Sequence, residues 1–498
     1  MDQGRVRLGA RLEAELWPLV EPLVASGDLA GLAVAVVRDE EVVSRGFGVR
    51  DLGTGAPVTP ETLFHLASVS KPFVATAIVS LATAHGAVEP ALDLDAPIID
   101  CVPEFTLADG RAGEVTARGL LSHSSGLPDV SEYGWDEPQL GDDALSEFAG
   151  SLSGWRLRSD PGSAFSYSNA GYELLGLLLS RITGTTFEDA MRQQVLAPLG
   201  MRDSTFLRSE VPAHLAAAPH VGMPLTVPAG AYPYTRRHAP SSTLHSNLAE
   251  LCRWMDAHLG SADATTQGSA GQPRLDAGLL DLMWRPVVSV GEPPWEDAMG
   301  LGWAVGSYRG HRTLSHSGAD PGFGSRLVLV PDRRTGVVVL ANSNTAPTWT
   351  IAAAALDLAL IEPASPQEPG GGVADLRAML PPISRPVAEA LAASGPDAAA
   401  ETFHRLAAVE PAAYDVDDDE FEKAVWGAIE LHRTSLVWPL LRVWTAVRPH
   451  SSVAWTMTGW AHQVDGHPDL AGSLLRRALD LDPDNADAAL ILGNLPST

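Results

Sequence analysis

The pattern of hydrophobic and polar positions divides the chain into a mixed first part and a helical tail. Residues 10–26 carry apolar side chains at helical spacing. The runs GLAVAVVRD (31–39) and EVVSRGFGVRD (41–51) are rich in β-branched residues and close enough in sequence to form an antiparallel hairpin. A helical pattern then extends from Ser68 to about Ala84.

Strand-like patterns return near residue 300, after a mixed stretch over 90–290 with helices and many Gly/Pro turns. Four runs follow one another, LGWAVGSY, RTLSHSG, GSRLVLVP and TGVVVLAN, with PDRRTG as a turn before the last of them. The apolar helix WTIAAAALDLAL closes this region at about residue 360. The pattern predicts an α+β fold over residues 1–360, with one antiparallel sheet built from both ends of the domain and helices packed against it.

The last part of the chain has a different composition. Residues 361–385 are rich in Pro and Gly and are interpreted as a linker, and residues 386–498 have helical periodicity. Three residue types recur 34 positions apart: Pro449 and Pro483, Ala454 and Ala488, and Gly459 and Gly493. This period is typical of tetratricopeptide repeats, and residues 452–485 resemble one closely, whereas 418–451 match poorly. A generic array of helical hairpins is the alternative.

Charge and cysteine content exclude several classes of protein. The 498 residues include 61 acids and 34 Lys and Arg, a formal charge of −27, which argues against a nucleic-acid partner or an anionic membrane surface. The two cysteines, Cys101 and Cys252, cannot form a disulfide framework and are expected in the core. The amphipathic start does not resemble a secretory signal, and no long uncharged apolar stretch follows, so we expect a cytoplasmic protein without a membrane span.

The strongest candidate for chemistry is Ser68-x-x-Lys71 in FHLASVSKPF. The chain has only two lysines, Lys71 and Lys423, among 34 basic residues. A buried lysine can lose its proton and act as a base, whereas arginine stays protonated. Residues three apart share a helix face, and Pro72 places Ser68 near the helix start, where the dipole favours an oxyanion. The alternative is a capping serine with a surface lysine.

Two further segments would each be unremarkable alone. Tyr167-Ser168-Asn169 follows a turn and precedes an apolar helix; a tyrosine beside a lysine can relay a proton, and an asparagine offers a donor and an acceptor to an amide or ester. His316-Ser317-Gly318 lies on a predicted strand, and its glycine would let a substrate approach the strand edge closely.

In this order the three segments resemble the serine β-lactamase and penicillin-binding family, and specifically its class C, DD-peptidase and esterase branch. The segments VTARGLLSHSSGLPD (115–129) and VLAPLGMRDSTF (195–206) support the resemblance, which covers about residues 15–360. It implies that Ser68 is the nucleophile and that Lys71 and Tyr167 share the general-base and general-acid work. It also implies a substrate-binding set, Asn169 on the acyl side with His316, Ser317 and Gly318, and an oxyanion hole made by the backbone N–H groups of Ser68 and Ala319.

The third motif departs from β-lactamases, because His316 stands where they usually carry lysine. Histidine is compatible with a DD-peptidase or an esterase. The other histidine in a family segment, His123, is interpreted as structural. We therefore expect a serine hydrolase acting on esters or small amides without a metal or cofactor.

Three alternatives stay open at this stage. They are a transacylase or peptide cyclase of the same fold, a peptidase specific for D-amino acids, and a non-catalytic scaffold. The expected substrate is a small ester, amide or peptide, and the helical repeats are a candidate surface for a protein partner.

Overall fold

The computed structural model describes residues 7–25, 27, 29–83, 92–222, 226–228, 231–260, 274–292, 295–361, 371–409, 412–430 and 434–495. Its contacts divide the chain into two units. The first is Met1–His220 with Ala231–Arg377, and the second is Val221–Gly230 with Ala378–Thr498. Within the described ranges, no helix combines the length and the apolar character that a membrane crossing requires.

A large antiparallel sheet forms the centre of the first unit. The strands of the described chain are β1 Gly31–Arg38, β2 Glu41–Asp51, β3 Ala56–Pro57, β4 Phe64–His65, β5 His220–Gly222, β6 Thr226–Pro228, β7 His245–Ser246, β8 Val288–Glu292, β9 Glu296–Met299, β10 Ala304–Tyr308, β11 His311–Asp320, β12 Phe323–Val330 and β13 Thr335–Ala341. The main sheet has the order β3-β2-β1-β13-β12-β11-β10-β9-β8. The hairpin β1–β2 forms as the sequence predicts. The pairing of β1 with β13 joins the two ends of the domain in one sheet, which the sequence also predicts.

Helices cover both faces of this sheet. Those before residue 380 are α1 Leu8–Arg11, α2 Trp17–Ala25, α3 Ser70–Thr83, α4 Ala117–Leu121, α5 Ala144–Ser151, α6 Asn169–Thr183, α7 Phe187–Met191, α8 Ala239–Ser242, α9 Leu248–Leu259, α10 Ala277–Trp284, α11 Thr348–Leu360 and α12 Gly372–Ala378. A π-helical turn at Leu12–Leu16 connects α1 to α2, so the helix predicted over 10–26 is nearly continuous.

Successive side chains of a strand point to opposite faces of the sheet, and here both faces are covered by apolar layers. In β1, Ala33 and Ala35 belong to the apolar layer that includes α3, α6 and α9, whereas Val34 and Val36 belong to the layer that includes α2 and α11. All eight residues of β1 are buried as a result. A strand that is buried on both faces reads as a continuous apolar run, which is the pattern of GLAVAVVR.

Three expectations differ from the structure. The sheet extends by β9, which pairs with β10, and by the edge strand β8, which pairs with β9; their short sequences, EDAM and VSVGE, contain Asp, Glu or Gly, which are uncommon in strands. Cys252 is buried as expected, but Cys101 is exposed. The predicted linker at 361–385 contains α12, whose Val373 and Leu376 are buried in the layer of α11, while residues 362–370 lie outside the described part.

The part of the second unit that follows residue 378 is helical where the structure describes it, as its periodicity predicts. Its helices are α13 Ser384–Ser394, α14 Pro396–Ala407, α15 Asp418–Glu430, α16 Thr434–Val447, α17 Ser452–Val464, α18 Pro468–Leu481 and α19 Ala486–Gly493. Ser451 caps α17 and Asn485 caps α19 with equivalent side-chain hydrogen bonds to Ala454 N and Ala488 N. These caps are 34 residues apart, the period seen in the sequence. The tetratricopeptide assignment itself stays a prediction.

Candidate active site

The first motif lies in the turn that leads into α3. Ser68 belongs to a single turn of 3-10 helix at Ala67–Val69. Ala67 has a φ of +47°, a left-handed conformation that costs a non-glycine residue roughly 1–3 kcal/mol. The surrounding structure holds this turn, because the carbonyl oxygen of Leu66 accepts a 2.6 Å hydrogen bond from Ser325 Oγ. The hydroxyl of Ser68 is thus presented by a fixed backbone.

Lys71 lies one helical turn after Ser68, and its side chain is completely buried. Its Nζ is 2.9 Å from Ser68 Oγ, 2.6 Å from Asn169 Oδ1 and 2.9 Å from the carbonyl oxygen of Ser241. Three acceptors match the three N–H donors of a protonated lysine. When the amine is neutral, its lone pair can point at one of them, and Ser68 is the one that carries a proton to give.

Burial also raises the fraction of Lys71 that is in the neutral amine form. It lowers the pKa of Lys71 from 10.5 to about 8, against the opposing effect of three carboxylates: Glu173, Asp320 and Asp129. About half of the amine is therefore unprotonated at pH 8 and about a tenth at pH 7. This lysine can accept a proton under conditions in which an exposed lysine cannot.

The second motif brings a phenol to the same oxygen. Tyr167 precedes α6, and its hydroxyl donates a 3.0 Å hydrogen bond to Ser68 Oγ. Burial raises the pKa of Tyr167 above its ordinary value of 10, so the phenol is neutral. Its ring stacks on His123 with centroids 4.2 Å apart, and His123 Nδ1 accepts a hydrogen bond from Ser168 N. His123 therefore supports Tyr167, and among the described residues no hydrogen bond joins it to Ser68.

The Asn169 side chain makes three hydrogen bonds within the protein. Its Oδ1 accepts from Lys71, and its Nδ2 donates to Asp129 Oδ2 at 3.1 Å and to the Tyr133 hydroxyl at 2.6 Å. Asp129 Oδ1 also accepts from the Asn169 backbone N–H at 2.6 Å. The sequence predicts that Asn169 holds the acyl side of a substrate. In this structure Oδ1 contacts Lys71 and keeps a second lone pair, so the role of Asn169 on the acyl side stays a prediction.

The third motif forms an open strand edge beside Ser68. Among the described residues, β10 pairs with β11 only as far as Ser315, while β12 pairs with β11 up to Asp320. The stretch from His316 to Ala319 therefore offers its free edge to a cleft. A methyl group on Gly318 would lie 2.9 Å from the Ser68 amide nitrogen, so only glycine allows this close approach.

The cleft at this edge has a volume of about 300 Å³ and collects residues from all three motifs. It is lined by Ser68, Phe165, Tyr167, Glu296, Met299, Ala304, His316, Ser317, Gly318, Ala319, Gly324, Ser325, Asn344, Ala346 and Thr348. Lys71 and Asn169 lie behind Ser68, outside this lining. Most of the predicted site residues thus line the cleft, whereas Lys71 contacts Ser68 from outside the lining and Asn169 contacts Lys71.

His316 contributes no positive charge to the cleft. Burial lowers its pKa to about 3, and the nearby Lys71 acts in the same direction. Its Nδ1 lies 2.7 Å from the carbonyl oxygen of Ser317, which can only accept, so the ring proton is on Nδ1. Nε2 is therefore an acceptor at pH 7.

Sequence reasoning missed the residues that hold Lys71 and Asn169. Ser241 acts through its carbonyl oxygen, which leaves no trace in the sequence. Asp129 ends the family segment 115–129, and Tyr133 follows four residues later. This proximity to a family segment was the one feature of the sequence that could have indicated them. Nothing in their spacing indicates that they reach an asparagine some forty residues away.

Comparisons with known proteins identify the family of this chain. The sequence profile of the family described as "Beta-lactamase" matches residues 18–361. Penicillin-binding protein 4 of Amycolatopsis lactamdurans is 31% identical over 330 residues, which cover 64% of this chain and 82% of that protein.

Two solved structures share the fold. A penicillin-binding protein homologue from Pyrococcus abyssi, described as octameric, has 26% identity and a TM-score of 0.59, covering 70% of this chain and 77% of its own. The D-amino acid amidase of Ochrobactrum anthropi SV3 has 23% identity and a TM-score of 0.55, covering 68% and 92%. This chain belongs to the β-lactamase family of serine hydrolases.

Proposed function

We propose that this protein is a serine hydrolase that forms an acyl-enzyme on Ser68 and acts on esters or small amides. The observation that carries the proposal is the position of Ser68 Oγ, which lies 2.9 Å from Lys71 Nζ and 3.0 Å from the Tyr167 hydroxyl. A nucleophile within hydrogen-bond reach of both a base and an acid is the arrangement that acyl transfer needs.

In the proposed acylation step, Ser68 Oγ attacks the acyl carbon of the substrate while its proton passes to the neutral amine of Lys71. The carbonyl oxygen becomes an oxyanion, and the backbone N–H groups of Ser68 and Ala319 are proposed to stabilise it. As the tetrahedral intermediate collapses, the bond to the leaving group breaks and the Tyr167 hydroxyl gives that group a proton. Lys71 then returns its proton to Tyr167.

Deacylation reverses these roles. Water attacks the ester carbonyl of the acyl-enzyme, and its proton passes to the same Lys71–Tyr167 pair. Breaking the bond to Ser68 Oγ returns a proton to the serine and releases the acid. In this scheme, Asn169 and Asp129 are positioning residues that keep Lys71 directed at Ser68.

Because His316 is neutral, we expect the protein to prefer esters and small amides as substrates over β-lactams and D-Ala-D-Ala peptides. Those two substrates carry a carboxylate, and a lysine at this position would supply the cation that faces it. The resemblance of the three motifs to the DD-peptidase branch keeps D-amino-acid peptides as the second candidate class. A transacylase or peptide cyclase would use the same acyl-enzyme, with an amine or alcohol in place of water.

The test is covalent labelling followed by turnover. The protein is incubated with a fluorophosphonate probe and with a panel of acyl esters, and its intact mass is measured. We expect one adduct, mapped to Ser68 by peptide mass spectrometry, and none in Ser68→Ala, whose thermal unfolding should match that of the parent. An adduct on another serine, or no adduct and no turnover, would overturn the proposal and favour a scaffold role.

Product analysis separates the remaining alternatives. Adding a primary amine or an alcohol to the ester reaction should leave the acid as the main product of a hydrolase. A dominant amide or new ester would identify a transacylase. A specificity constant higher for a cephalosporin or a D-Ala-D-Ala peptide than for every ester would contradict the proposed substrate class.

A further inference from the structure

A buried cation lies directly behind the cleft and is not used by the proposed chemistry. Arg326 is on β12, in register with Ser317 of the third motif. It is only 3% exposed, and its guanidinium carbon lies 3.9 Å from the centre of the Trp349 ring. A charge at this depth is costly unless it is well paired.

The pairing of Arg326 is incomplete. Its two Nη atoms donate to the same oxygen, Glu296 Oε1, at 3.3 and 3.4 Å, and Nη2 also reaches Ser315 Oγ at 3.2 Å. Its Nε is buried without a hydrogen-bond partner in the described part of the chain. A guanidinium fork normally binds both oxygens of a carboxylate. Burial accordingly lowers the pKa of Arg326 to about 10.

Glu296 stands between this cation and the substrate. It lines the cleft, and its side chain is 29% exposed against 4% for Arg326. It is the one Asp or Glu among the described residues that line the cleft, and no Lys or Arg is among them. A substrate therefore meets a carboxylate at this wall and not the guanidinium behind it.

We propose that Glu296 is a specificity-determining residue, which occupies Arg326 and thereby excludes substrates that carry a carboxylate. This inference rests on the proposed function. A carboxylate in the substrate would be repelled by Glu296 and would find Arg326 already engaged. Substrates that are neutral or positively charged at the corresponding position would be accepted. Without the charge of Glu296, Arg326 becomes a carboxylate-binding residue.

The test uses two matched pairs of thioesters, and the released thiol is measured with a chromogenic disulfide. In the first pair, phenylacetyl thioesters of mercaptoacetate and mercaptoacetamide differ only by a carboxylate in the leaving group and form the same acyl-enzyme. In the second pair, the S-benzyl monothioester of succinic acid and the S-benzyl thioester of succinamic acid differ only in the acyl group. The measured quantity is the ratio of kcat/KM for the carboxylate to that for the amide.

We expect Glu296→Gln to raise this ratio at least tenfold for one of the pairs, and that pair identifies the side of the scissile bond that faces Arg326. Arg326→Gln in the Glu296→Gln background should return the ratio to near its starting value. Asp297→Asn is the matched control, because it removes one negative charge from the neighbouring, exposed position of β9 and should leave both ratios unchanged.

If Arg326→Gln does not fold, as its thermal unfolding would reveal, Glu296→Ala replaces it as a second variant and must raise the same ratio. Ratios that stay within twofold for both pairs in both Glu296 variants would overturn the inference. An equal rise in Asp297→Asn would also overturn it, since the effect would then be one of net charge. Failure of the proposed function is distinct: the parent would cleave none of the four thioesters and form no adduct on Ser68.

Discussion

The two lysines of this chain lie in two different regions, and their pKa values are shifted in opposite directions. Lys71, in the first unit, is completely buried, and burial lowers its pKa to about 8. The side chain of Lys423, in the helical tail, is 58% exposed. At Lys423 partial burial is outweighed by the hydrogen bond to Glu420 and by neighbouring carboxylates, so its pKa is raised above 10.5. Only the first lysine is prepared for proton transfer.

The interiors of the two regions differ in the same way. The first unit buries ionisable side chains, among them Lys71, Glu173, Glu250 and Arg326. In the described part of the tail, the buried polar side chains are the uncharged Ser384, Ser451 and Thr456. Because buried charges cost free energy, a folded protein keeps them where they serve a purpose. Among the described residues, the buried charges therefore lie in the first unit, which also holds the proposed active site.

Of the changes considered, replacing Lys71 with arginine should have the largest effect on activity, and the same replacement at Lys423 should have almost none. Lys71→Arg should lower kcat/KM for an ester by about 10³-fold, because arginine stays protonated and cannot act as the base. Lys423→Arg is the matched control and should stay within twofold of the parent. Steady-state kinetics would measure both. Retained turnover in Lys71→Arg would mean that Lys71 supplies only positive charge.

The pH dependence follows from the pKa of Lys71. Protonated Lys71 has no lone pair, so activity should be low at acidic pH and should rise as the amine loses its proton. With a pKa of about 8, kcat/KM should increase about tenfold between pH 7 and pH 9. A profile measured with a neutral ester in constant ionic strength checks this. A flat profile across this range would exclude Lys71 as the titrating base.

Asp129→Asn should have a smaller effect, transmitted through Asn169. The change replaces one of the two carboxylate oxygens that accept from Asn169 with an NH2 group, so one of these hydrogen bonds is lost, and kcat should fall about tenfold with little change in KM. It also removes a carboxylate that raises the pKa of Lys71, so the rise in activity should move to lower pH. Glu132→Gln, an exposed change in the same loop, is the control. A kcat loss without the pH shift would indicate a merely structural role.

Shortening the chain should have the smallest effect on chemistry. A chain ending at Arg377 should keep ester turnover within about twofold. A chain ending at Leu360 removes α12, whose buried Val373 and Leu376 contribute about 3–6 kcal/mol of apolar burial at most, so it should unfold at lower temperature. Calorimetry and ester kinetics on both chains would check this. A folded chain to Arg377 without turnover would show that the tail shapes the site.

Much of the fold was readable from local pattern. The β1–β2 hairpin, the strands after residue 300 and the helix after Ser68 all follow from residue periodicity and turn composition. Strands β9 and β8 were missed because their sequences are short and contain Asp, Glu or Gly; β9 forms by pairing with β10, and the edge strand β8 by pairing with β9. Helix α12 was missed because Pro and Gly around it suggested a linker, whereas two apolar residues pack it into the core.

By itself, the sequence determined the order and spacing of the three motifs, and with them the family and the candidate nucleophile. Serine and lysine three residues apart meet on any helix, so local geometry was enough to bring Ser68 and Lys71 together. The proton affinity of Lys71 and the charge that faces the cleft were decided only by tertiary structure. Lys71 contacts Asn169 and the Ser241 carbonyl, which are 98 and 170 residues away, and Glu296 reaches Arg326 across the sheet. Desolvation and electrostatic interaction depend on which groups surround a charge in space, and sequence spacing does not specify those neighbours.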